Sequence, residues 1–364
     1  MRLVVDSDGL ETATAVEAIA RGAQILRNGG LVAFPTETVY GLGANALDAE
    51  AVGRIFTAKQ RPAWDPVIVH VANMEMVEQL VTEIPPSARK LMEAFWPGPL
   101  TLLLPRSVEV PDVVTAGRSL VGVRMPAHPV ALELIRRAGV PVAAPSANTF
   151  GHTSPTTAAH VLDDLDGRID AVLDAGATWH GVESTVLDPC QSPMIVYRPG
   201  AVTAEQIRET AGAVEVFRNA QPLVQTPLLE TPLLETPLVE TPHAGLPSPG
   251  VGIRHYAPRA QLVLIGARKQ DLEERLTEAA REITGQRVGV MLPAGLRIAR
   301  PGLVVFPWGN WDAPEELARN LYAGLRALDG KGCDIILCPV PPVDGVGAAI
   351  RDRLLKACRT GTRE

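Results

Sequence analysis

Six short segments of this 364-residue chain combine cationic or small hydroxyl side chains with prolines or glycines beside apolar runs. They are FPTETVYGLG (34–43), AKQRPAWDPVIVH (58–70), VRMP (123–126), APSANTFGHTSPT (144–156), ESTV (183–186) and YRPG (197–200). Arginine can bind a phosphate or carboxylate through two parallel N–H donors, and lysine adds a point charge. Because ligands of open α/β sheets bind at strand ends, these segments predict a site for an anionic substrate.

Each of these residues, taken alone, also has a structural explanation. Lys59 and Arg61 follow a predicted helix, where cations complement the helix dipole without any ligand. His70 lies in an apolar run and could be a hydrogen-bonded core histidine. Thr38 could satisfy a turn, and Ser184 could begin a strand. The functional interpretation rests on the combination of four cations and several small donors at the strand ends of one region.

The elements that must position these segments lie before residue 212. Predicted strands cover 31–34, 67–71, 100–104, 121–125, 171–173, 185–187 and 194–197. Predicted helices cover 14–27, 48–59, 87–95, 129–138, 156–165 and 203–210, and the last opens with Thr203 and Gln206 at capping-box spacing. Because helices and strands do not strictly alternate, the pattern predicts an α/β domain with a twisted mixed sheet over 1–212.

A proline-rich linker is predicted over 213–258. Within it TPLLE, TPLLE, TPLVE and TP follow one another from 226 to 242, with proline at every fifth position. Proline at that spacing excludes a helix interior or a central strand and favours an extended spacer. Beyond the linker, predicted strands 261–265, 288–292, 303–306 and 335–339 alternate with predicted helices 271–283, 314–328 and 348–358. This alternation predicts a smaller, Rossmann-like parallel α/β domain over 259–364.

The charge balance disfavours a broad nucleic-acid-binding surface. The chain has 34 Lys and Arg against 41 Asp and Glu, a net charge of −7. Residues 1–210 carry 16 of the basic and 24 of the acidic side chains, so the acidic excess lies in the region with the candidate site. Aromatic residues are only 4% of the chain. A local basic pocket is still compatible with these numbers.

The chain is expected to be cytoplasmic. No apolar run approaches the ~18 residues that a membrane span needs, and the first residues show no apolar core of a signal peptide. The four cysteines, Cys190, Cys333, Cys338 and Cys358, form no CxxC pair and have no histidine at zinc-finger spacing. Scattered reduced thiols are the resulting prediction.

Two glycine motifs resemble nucleotide-binding loops only weakly. GLGANA (41–46) fits GxGxxA, but PTETVY separates it from the preceding predicted strand, so the tight strand-to-glycine turn is missing. DGVGAAI (344–350) fits less well and is expected to ease a strand-to-helix turn. Neither motif predicts a dinucleotide site.

The motifs together resemble the L-threonylcarbamoyladenylate synthase family. GGLVAFPTETVYGLGANA (29–46), the KxR of Lys59 and Arg61, and the SAN of 146–148 are similar to its YrdC-like catalytic domain. SPGVGIRHYAP (248–258) resembles the linker end of the family's long form, which adds a C-terminal domain. The resemblance spans essentially the whole chain, is most specific in the first 200 residues, and does not include the pentapeptide repeat.

This resemblance implies a reaction of L-threonine, bicarbonate (or CO2) and ATP that yields threonylcarbamoyl-AMP and pyrophosphate. A separate transferase then uses the product to modify the adenosine next to the anticodon of certain tRNAs. Mg2+ is the implied cofactor, entering with ATP. The motifs do not indicate the role of the C-terminal domain, the oligomeric state, or whether the product is transferred directly.

The resemblance also implies residue roles. L-Threonine would be bound by Thr38, His70, Arg124, Ala144 and Ser184. ATP would be bound by Arg61, Asp65, Leu120, Ser146, Asn148, Ser154, Arg198 and Tyr256, with Lys59 and Arg61 as the catalytic cations. Leu120 could offer only backbone or apolar contact, and Tyr256 would reach the nucleotide from the linker end.

Asp65 departs from the family pattern, which usually has Asn before this proline. A carboxylate near phosphates is repelled unless Mg2+ or a ribose hydroxyl intervenes.

Lys59, Arg61 and Arg198 could position the substrates and neutralise their charge. Both effects suit a transfer at phosphorus.

Two other functions are weighed against the synthase. A non-catalytic RNA-binding module would suit the concave basic face of YrdC-like domains, but the acidic charge and low aromatic content disfavour it. A carbamoyltransferase domain of the hydrogenase-maturation type would require zinc-finger cysteines and an acylphosphatase-like segment, and the sequence has neither.

Overall fold

The computed structural model describes residues 1–5, 9–217 and 256–358. The first unit contains strands β1 (Arg2–Val4), β2 (Val32–Pro35), β3 (Tyr40–Asn45), β4 (Ile68–His70), β5 (Leu100–Pro105), β6 (Leu120–Arg124), β7 (Val142–Ala143), β8 (Ala171–Asp174), β9 (Thr185–Asp188), β10 (Met194–Arg198) and β11 (Val214–Val216). Its helices are α1 (Ala13–Arg27), α2 (Ala49–Lys59), α3 (Met74–Leu80), α4 (Pro86–Phe95), α5 (Asp112–Thr115), α6 (Pro129–Ala138), α7 (Ala158–Leu165) and α8 (Ala204–Ala211).

One sheet of eleven strands organises this unit, in the order β1-β8-β2-β3-β7-β4-β6-β5-β9-β10-β11. Parallel pairs such as β4 with β6 alternate with antiparallel pairs such as β2 with β3. The predicted mixed sheet is therefore confirmed. β11 pairs with β10, so the sheet extends a few residues past 212.

The segment after β2 is more regular than the sequence analysis expected. The sequence analysis predicted no strand between residues 34 and 67, but residues 40–45 form β3, which pairs with both β2 and β7. A Cβ on Gly43 would lie 2.8 Å from the Phe34 ring and 2.8 Å from a Val142 methyl carbon, so glycine permits this close packing. The glycines of GLGANA thus serve strand packing rather than a phosphate-binding turn.

Local sequence signals set the ends of the helices that carry site residues. Asp48 caps α2 by accepting from the backbone N–H groups of Glu50 and Ala51. α2 ends at Lys59, because Gln60 adopts a left-handed backbone conformation with φ of 54°. At α8, Thr203 and Gln206 form the predicted capping box. Short strands β1, β7 and β11 and helices α3 and α5 were not predicted.

The second unit is a parallel sheet of four strands in the order β12-β15-β13-β14, as predicted. Its elements are β12 (Gln261–Ile265), α9 (Leu272–Glu282), β13 (Val288–Pro293), β14 (Val304–Gly309), α10 (Pro314–Gly330), β15 (Ile335–Pro339) and α11 (Gly347–Ala357). Val39 and Val182 of the first unit share its apolar core. The proline repeat and most of SPGVGIRHYAP lie outside the described residues.

One face of α10 packs against the first unit. Arg319 Nε donates to the carbonyl of Trp179, and Arg326 Nη2 donates to Asp164 (2.8 Å). Gly181, with φ of 71°, lies so close that an added Cβ would be 2.4 Å from the Ala318 carbonyl oxygen. In the described part of the chain, no helix is both long and apolar enough to cross a membrane.

Candidate functional site

A cleft opens where the loops after several strands of the large sheet meet. Together with the open solvent at its mouth it encloses about 600 Å³ of empty space. Nine of the predicted site residues line it: Thr38, Arg61, His70, Arg124, Ala144, Ser146, Ser184, Arg198 and Tyr256. Residues as far apart in the sequence as Thr38 and Tyr256 therefore converge on one cleft.

Arg124, at the end of β6, is held by three partners at one end of the cleft. Its Nε donates to the carbonyl of Gly98 (3.1 Å) and its Nη1 donates to Thr38 Oγ1 (3.0 Å). Its Nη2 lies 2.7 Å from Glu37 Oε1. Burial raises the pKa of Glu37, but the Arg124 guanidinium outweighs it and holds that pKa below its usual value. These contacts fix the guanidinium where Arg124 lines the cleft.

His70 faces the same cleft from β4. Burial, with Arg124 adding to it, lowers the pKa of His70 to about 3, so the ring is neutral at physiological pH. The ring packs edge-on against Phe34, with 6.2 Å between the centroids. Among the described residues its Nδ1 has no hydrogen-bond partner. A neutral imidazole with a buried unpaired nitrogen is suited to hydrogen-bond an uncharged or carboxylate group of a substrate.

Ser184 and Arg198 form a joined pair where β9 begins and β10 ends. Arg198 Nε donates to the Ser184 carbonyl oxygen (3.0 Å), and its Nη2 lies 3.0 Å from Ser184 Oγ. The Ser184 and Thr101 hydroxyls are 2.8 Å apart. These contacts order one hydroxyl and one guanidinium on the cleft wall.

Arg61, just after α2, is fixed by the segment that follows it. Its Nη2 lies 2.9 Å from Asp65 Oδ2 and donates to the Pro66 carbonyl oxygen (2.7 Å). Its guanidinium carbon is 5.8 Å from the centroid of the Phe150 ring. Burial raises the pKa of Asp65 above its usual value, against the lowering effect of Arg61. Arg61 therefore lines the cleft while it is already paired with the carboxylate of Asp65.

Lys59 does not line the cleft. Its side chain is 1% exposed, and Nζ donates to the carbonyl oxygens of Ser146 and Asn148. Burial, and then the nearby Arg61, lower the pKa of Lys59 well below its usual value. The structure thus places Lys59 behind the SAN segment, where it holds the backbone that presents Ser146.

Four other predicted residues also lie outside the cleft lining. Asn148 Nδ2 donates to the carbonyls of Thr149 and His152, and so it shapes the loop. Ser154 Oγ donates to Glu183 Oε1 (2.5 Å). Leu120, at the start of β6, packs beside Ile68 and Leu103, and Asp65 pairs with Arg61. Their predicted ATP contacts stay predictions.

Glu183 is a charged lining residue to which the sequence analysis assigned no role. Its carboxylate accepts from Ser154, from the Tyr322 hydroxyl (3.0 Å) and from Arg353 Nε (2.7 Å). Burial raises its pKa, but Arg353 and Arg198 outweigh burial and keep that pKa below its usual value. Two of its three partners come from the second unit, 139 and 170 residues away, so no local signal could have revealed the cluster.

Tyr256, where the described part of the chain resumes after residue 217, completes the wall of the cleft. It is 5% exposed and has φ of 64°, and the N–H of the next residue, Ala257, donates to the Gly151 carbonyl. Arg353 stands over its ring, with 5.2 Å to the centroid. Burial and Glu183 raise the pKa of Tyr256 to about 12.

The carboxylates near the cleft offer little to a metal ion bound by protein alone. Asp65 and Glu183 are each ion-paired with arginine, and no group of three His, Cys, Asp or Glu suited to a metal exists among residues 1–5, 9–217 and 256–358. The arrangement suits an anionic ligand instead, with Arg61 and Arg198 on one side and Arg124 with Thr38 on another.

Two family models match the chain. One, described as "Telomere recombination", matches residues 24–200. The other, described as "Threonylcarbamoyl-AMP synthase, C-terminal domain", matches residues 202–358.

Curated relatives match both units together. The chain is 44% identical to the threonylcarbamoyl-AMP synthase of Pyrococcus abyssi, over 92% of each chain. It is 41% identical to that of Bacillus subtilis, over 95% of this chain and 94% of the relative. The crystal structure of P. abyssi Sua5 complexed with L-threonine matches with a TM-score of 0.85 and 41% identity, covering 98% of this chain and 97% of that chain.

Proposed function

The chain belongs to the threonylcarbamoyl-AMP synthase family, in the long form with a C-terminal domain, and we propose that its cleft joins L-threonine, bicarbonate or CO2, and ATP. The products are L-threonylcarbamoyl-AMP and pyrophosphate. The extensive match to curated synthases supports this enzymatic role and gives no support to a non-catalytic RNA-binding module.

L-Threonine would occupy the end of the cleft formed by Arg124, Thr38 and His70. The Arg124 guanidinium would pair with the amino-acid carboxylate, since Glu37 and Gly98 hold it in place where it lines the cleft. His70 Nδ1 would accept or donate a hydrogen bond to a polar group of threonine. Ala144 and Ser184 would complete this end of the cleft.

ATP would lie toward Arg61, Arg198 and Tyr256. Two fixed guanidinium groups would neutralise the phosphates, and Ser146 would add a hydroxyl. Lys59 would act from behind the cleft wall, because its hydrogen bonds fix the backbone of the SAN segment. Asn148 and Ser154 would order the walls of this end rather than touch phosphate.

The chemistry requires two bond-forming steps. The free amine of threonine adds to CO2 and loses a proton, which forms a carbamate. A carbamate oxygen then attacks the α-phosphorus of ATP, the bond to the bridging oxygen breaks, and pyrophosphate leaves with the electron pair. The chain contributes by aligning the carbamate with phosphorus and by neutralising charge with Arg61 and Arg198. Buried walls also exclude the water that would hydrolyse the carbamate.

Mg2+ would enter on the triphosphate of ATP and neutralise part of its charge. The described carboxylates at the cleft are already committed to arginines, so we assign no step to a metal held by protein ligands. A cytoplasmic location and transfer of the product to a tRNA-modifying transferase also belong to this proposal.

The convergence of Arg124, Thr38, His70 and Ser184 on one cleft carries the proposal. It is tested by incubating the purified chain with ATP, bicarbonate and L-threonine and identifying the adduct by mass spectrometry. We expect threonylcarbamoyl-AMP, and an Arg124→Met variant should lose threonine affinity while retaining ATP binding. Arg136→Met, an exposed arginine on α6 that pairs with Glu133 and does not line the cleft, is the matched control. Absence of the adduct with all three substrates would contradict the proposal.

A further inference from the structure

The C-terminal unit contributes side chains to a buried cluster that reaches the cleft wall. Arg353 on α11 is 1% exposed, and Tyr322 on α10 is fully buried. Both donate to Glu183, which lines the cleft directly before Ser184. A buried carboxylate is stable only when its oxygens are paired, and two of the three donors here belong to the other unit.

Tyr256 is held by the same two residues. The Arg353 guanidinium stands 5.2 Å from the Tyr256 ring centroid, and the Tyr322 ring stacks on Tyr256 at 5.9 Å with 30° between the planes. The Tyr256 backbone has a positive φ of 64°, a conformation that a tyrosine adopts only when its surroundings hold it there. Its position therefore depends on the C-terminal unit.

We propose that Arg353 and Tyr322 are positioning residues for the reaction, which hold Glu183 and Tyr256 in the nucleotide end of the cleft. This inference rests on the proposed function, because it assigns the nucleotide to that end. It gives the C-terminal unit a direct part in ATP binding: undocking the unit withdraws two hydrogen-bond donors from Glu183 and two contacts from the Tyr256 ring at once.

Charge balance in the cluster supports the inference. Asp352 pairs with Arg353 Nη1 (2.5 Å) and with Lys356 Nζ (2.8 Å), so Arg353 is fixed from both sides. Arg198, which also faces the cleft, lies close enough to Glu183 to help keep that carboxylate charged. Arg353 therefore contacts Glu183, which directly precedes Ser184, and Ser184 in turn is hydrogen-bonded to Arg198.

The test uses the full chain and pyrophosphate release with ATP and threonine varied separately. Tyr322→Phe keeps the stacked ring and removes only the hydroxyl on Glu183. Arg353→Lys keeps the charge and loses the planar group over Tyr256. We expect each to raise the KM for ATP about tenfold, with little change in the KM for threonine. Arg351→Lys on the same helix, whose Nη1 donates to the Pro341 carbonyl, is the matched control.

The inference and the proposed function fail in different ways. A wild-type chain that releases no pyrophosphate overturns the proposed function. An active wild type with unchanged ATP KM in both Tyr322→Phe and Arg353→Lys overturns the inference, even if both variants melt at lower temperature. Coupling gives a second test: in a Tyr256→Leu background, Arg353→Lys should raise the ATP KM by a smaller factor, because only its contact with Glu183 remains to be disturbed. An undiminished effect there also contradicts the inference.

Discussion

Arg61 Nη2, in the wall of the cleft, lies 2.9 Å from Oδ2 of Asp65 behind it, and both side chains are almost fully buried. Asp65 therefore competes with a phosphate for the same guanidinium. Replacing Asp65 by Asn keeps a hydrogen-bond acceptor but removes the competing charge. We expect the KM for ATP to fall about threefold to tenfold, measured by pyrophosphate release at fixed threonine.

The matched control for Asp65→Asn is Asp112→Asn, which breaks the Arg106–Asp112 ion pair at an exposed site outside the cleft lining. It should leave the KM for ATP unchanged. An increase in the ATP KM of Asp65→Asn would show that the carboxylate helps to bind ATP, which contradicts competition.

Lys59 is expected to act through the SAN backbone and not on phosphate. Lys59→Met should weaken ATP binding at every salt concentration, because the segment that presents Ser146 loses its two donated hydrogen bonds. The slope of ATP affinity against salt should stay that of the wild type. Arg61→Met should flatten this slope, since a phosphate partner is lost. An equal flattening in Lys59→Met would place Lys59 on the phosphates.

Gly181 tests the docking of the two units. In Gly181→Ala, the new Cβ would clash with the backbone of α10, and we expect about 2 to 3 kcal/mol more destabilisation than in a control. Gly176→Ala is that control, because it has the same kind of positive φ (83°) but no atom within 4 Å of its Cβ. The measurement is thermal unfolding followed together with activity. Equal losses in both variants would mean that strain alone, and not docking, explains the effect.

His128 predicts part of the pH dependence of stability. Burial lowers its pKa to about 4, and its Nδ1 accepts from the Val130 N–H at the start of α6. The unfolded chain takes up a proton below pH ~6.5 while the folded chain does not until about pH 4, so stability falls as pH drops through this window. His128→Asn keeps an N-cap acceptor without titrating. At pH 5 it should lose ~2 kcal/mol less than the wild type, relative to pH 7, in denaturant titrations. Parallel stability curves would contradict this.

Sequence patterns predicted the layers of the fold well where the apolar runs were long. The seven predicted strands of the first unit and the four of the second all occur, and the helix from 14 to 27 differs from α1 by one residue. β3 was missed because prolines, glycines and threonines mask a strand whose small residues allow close packing. The two-residue β7 and the three-residue β1 and β11 are too short for periodicity to show.

The sequence predicted most of the polar residues that line the site, but not what each of them does there. Nine predicted residues line the cleft, because cations and hydroxyls at strand ends converge in an open α/β sheet. The burial of Lys59 behind the SAN segment could not be read from KxR spacing, which is equally compatible with a phosphate contact. The role of Glu183 could not be predicted for a different reason. It depends on Tyr322 and Arg353, which reach Glu183 because the second unit packs against the first.

The most direct test of the account measures pyrophosphate release with threonine, bicarbonate and ATP each omitted in turn. Release should need all three, and Arg61→Ala should abolish it while leaving the fold intact, as judged by its melting curve. Release that proceeds without threonine, or that survives in Arg61→Ala, would contradict the assignment of this cleft to threonylcarbamoyl-AMP synthesis.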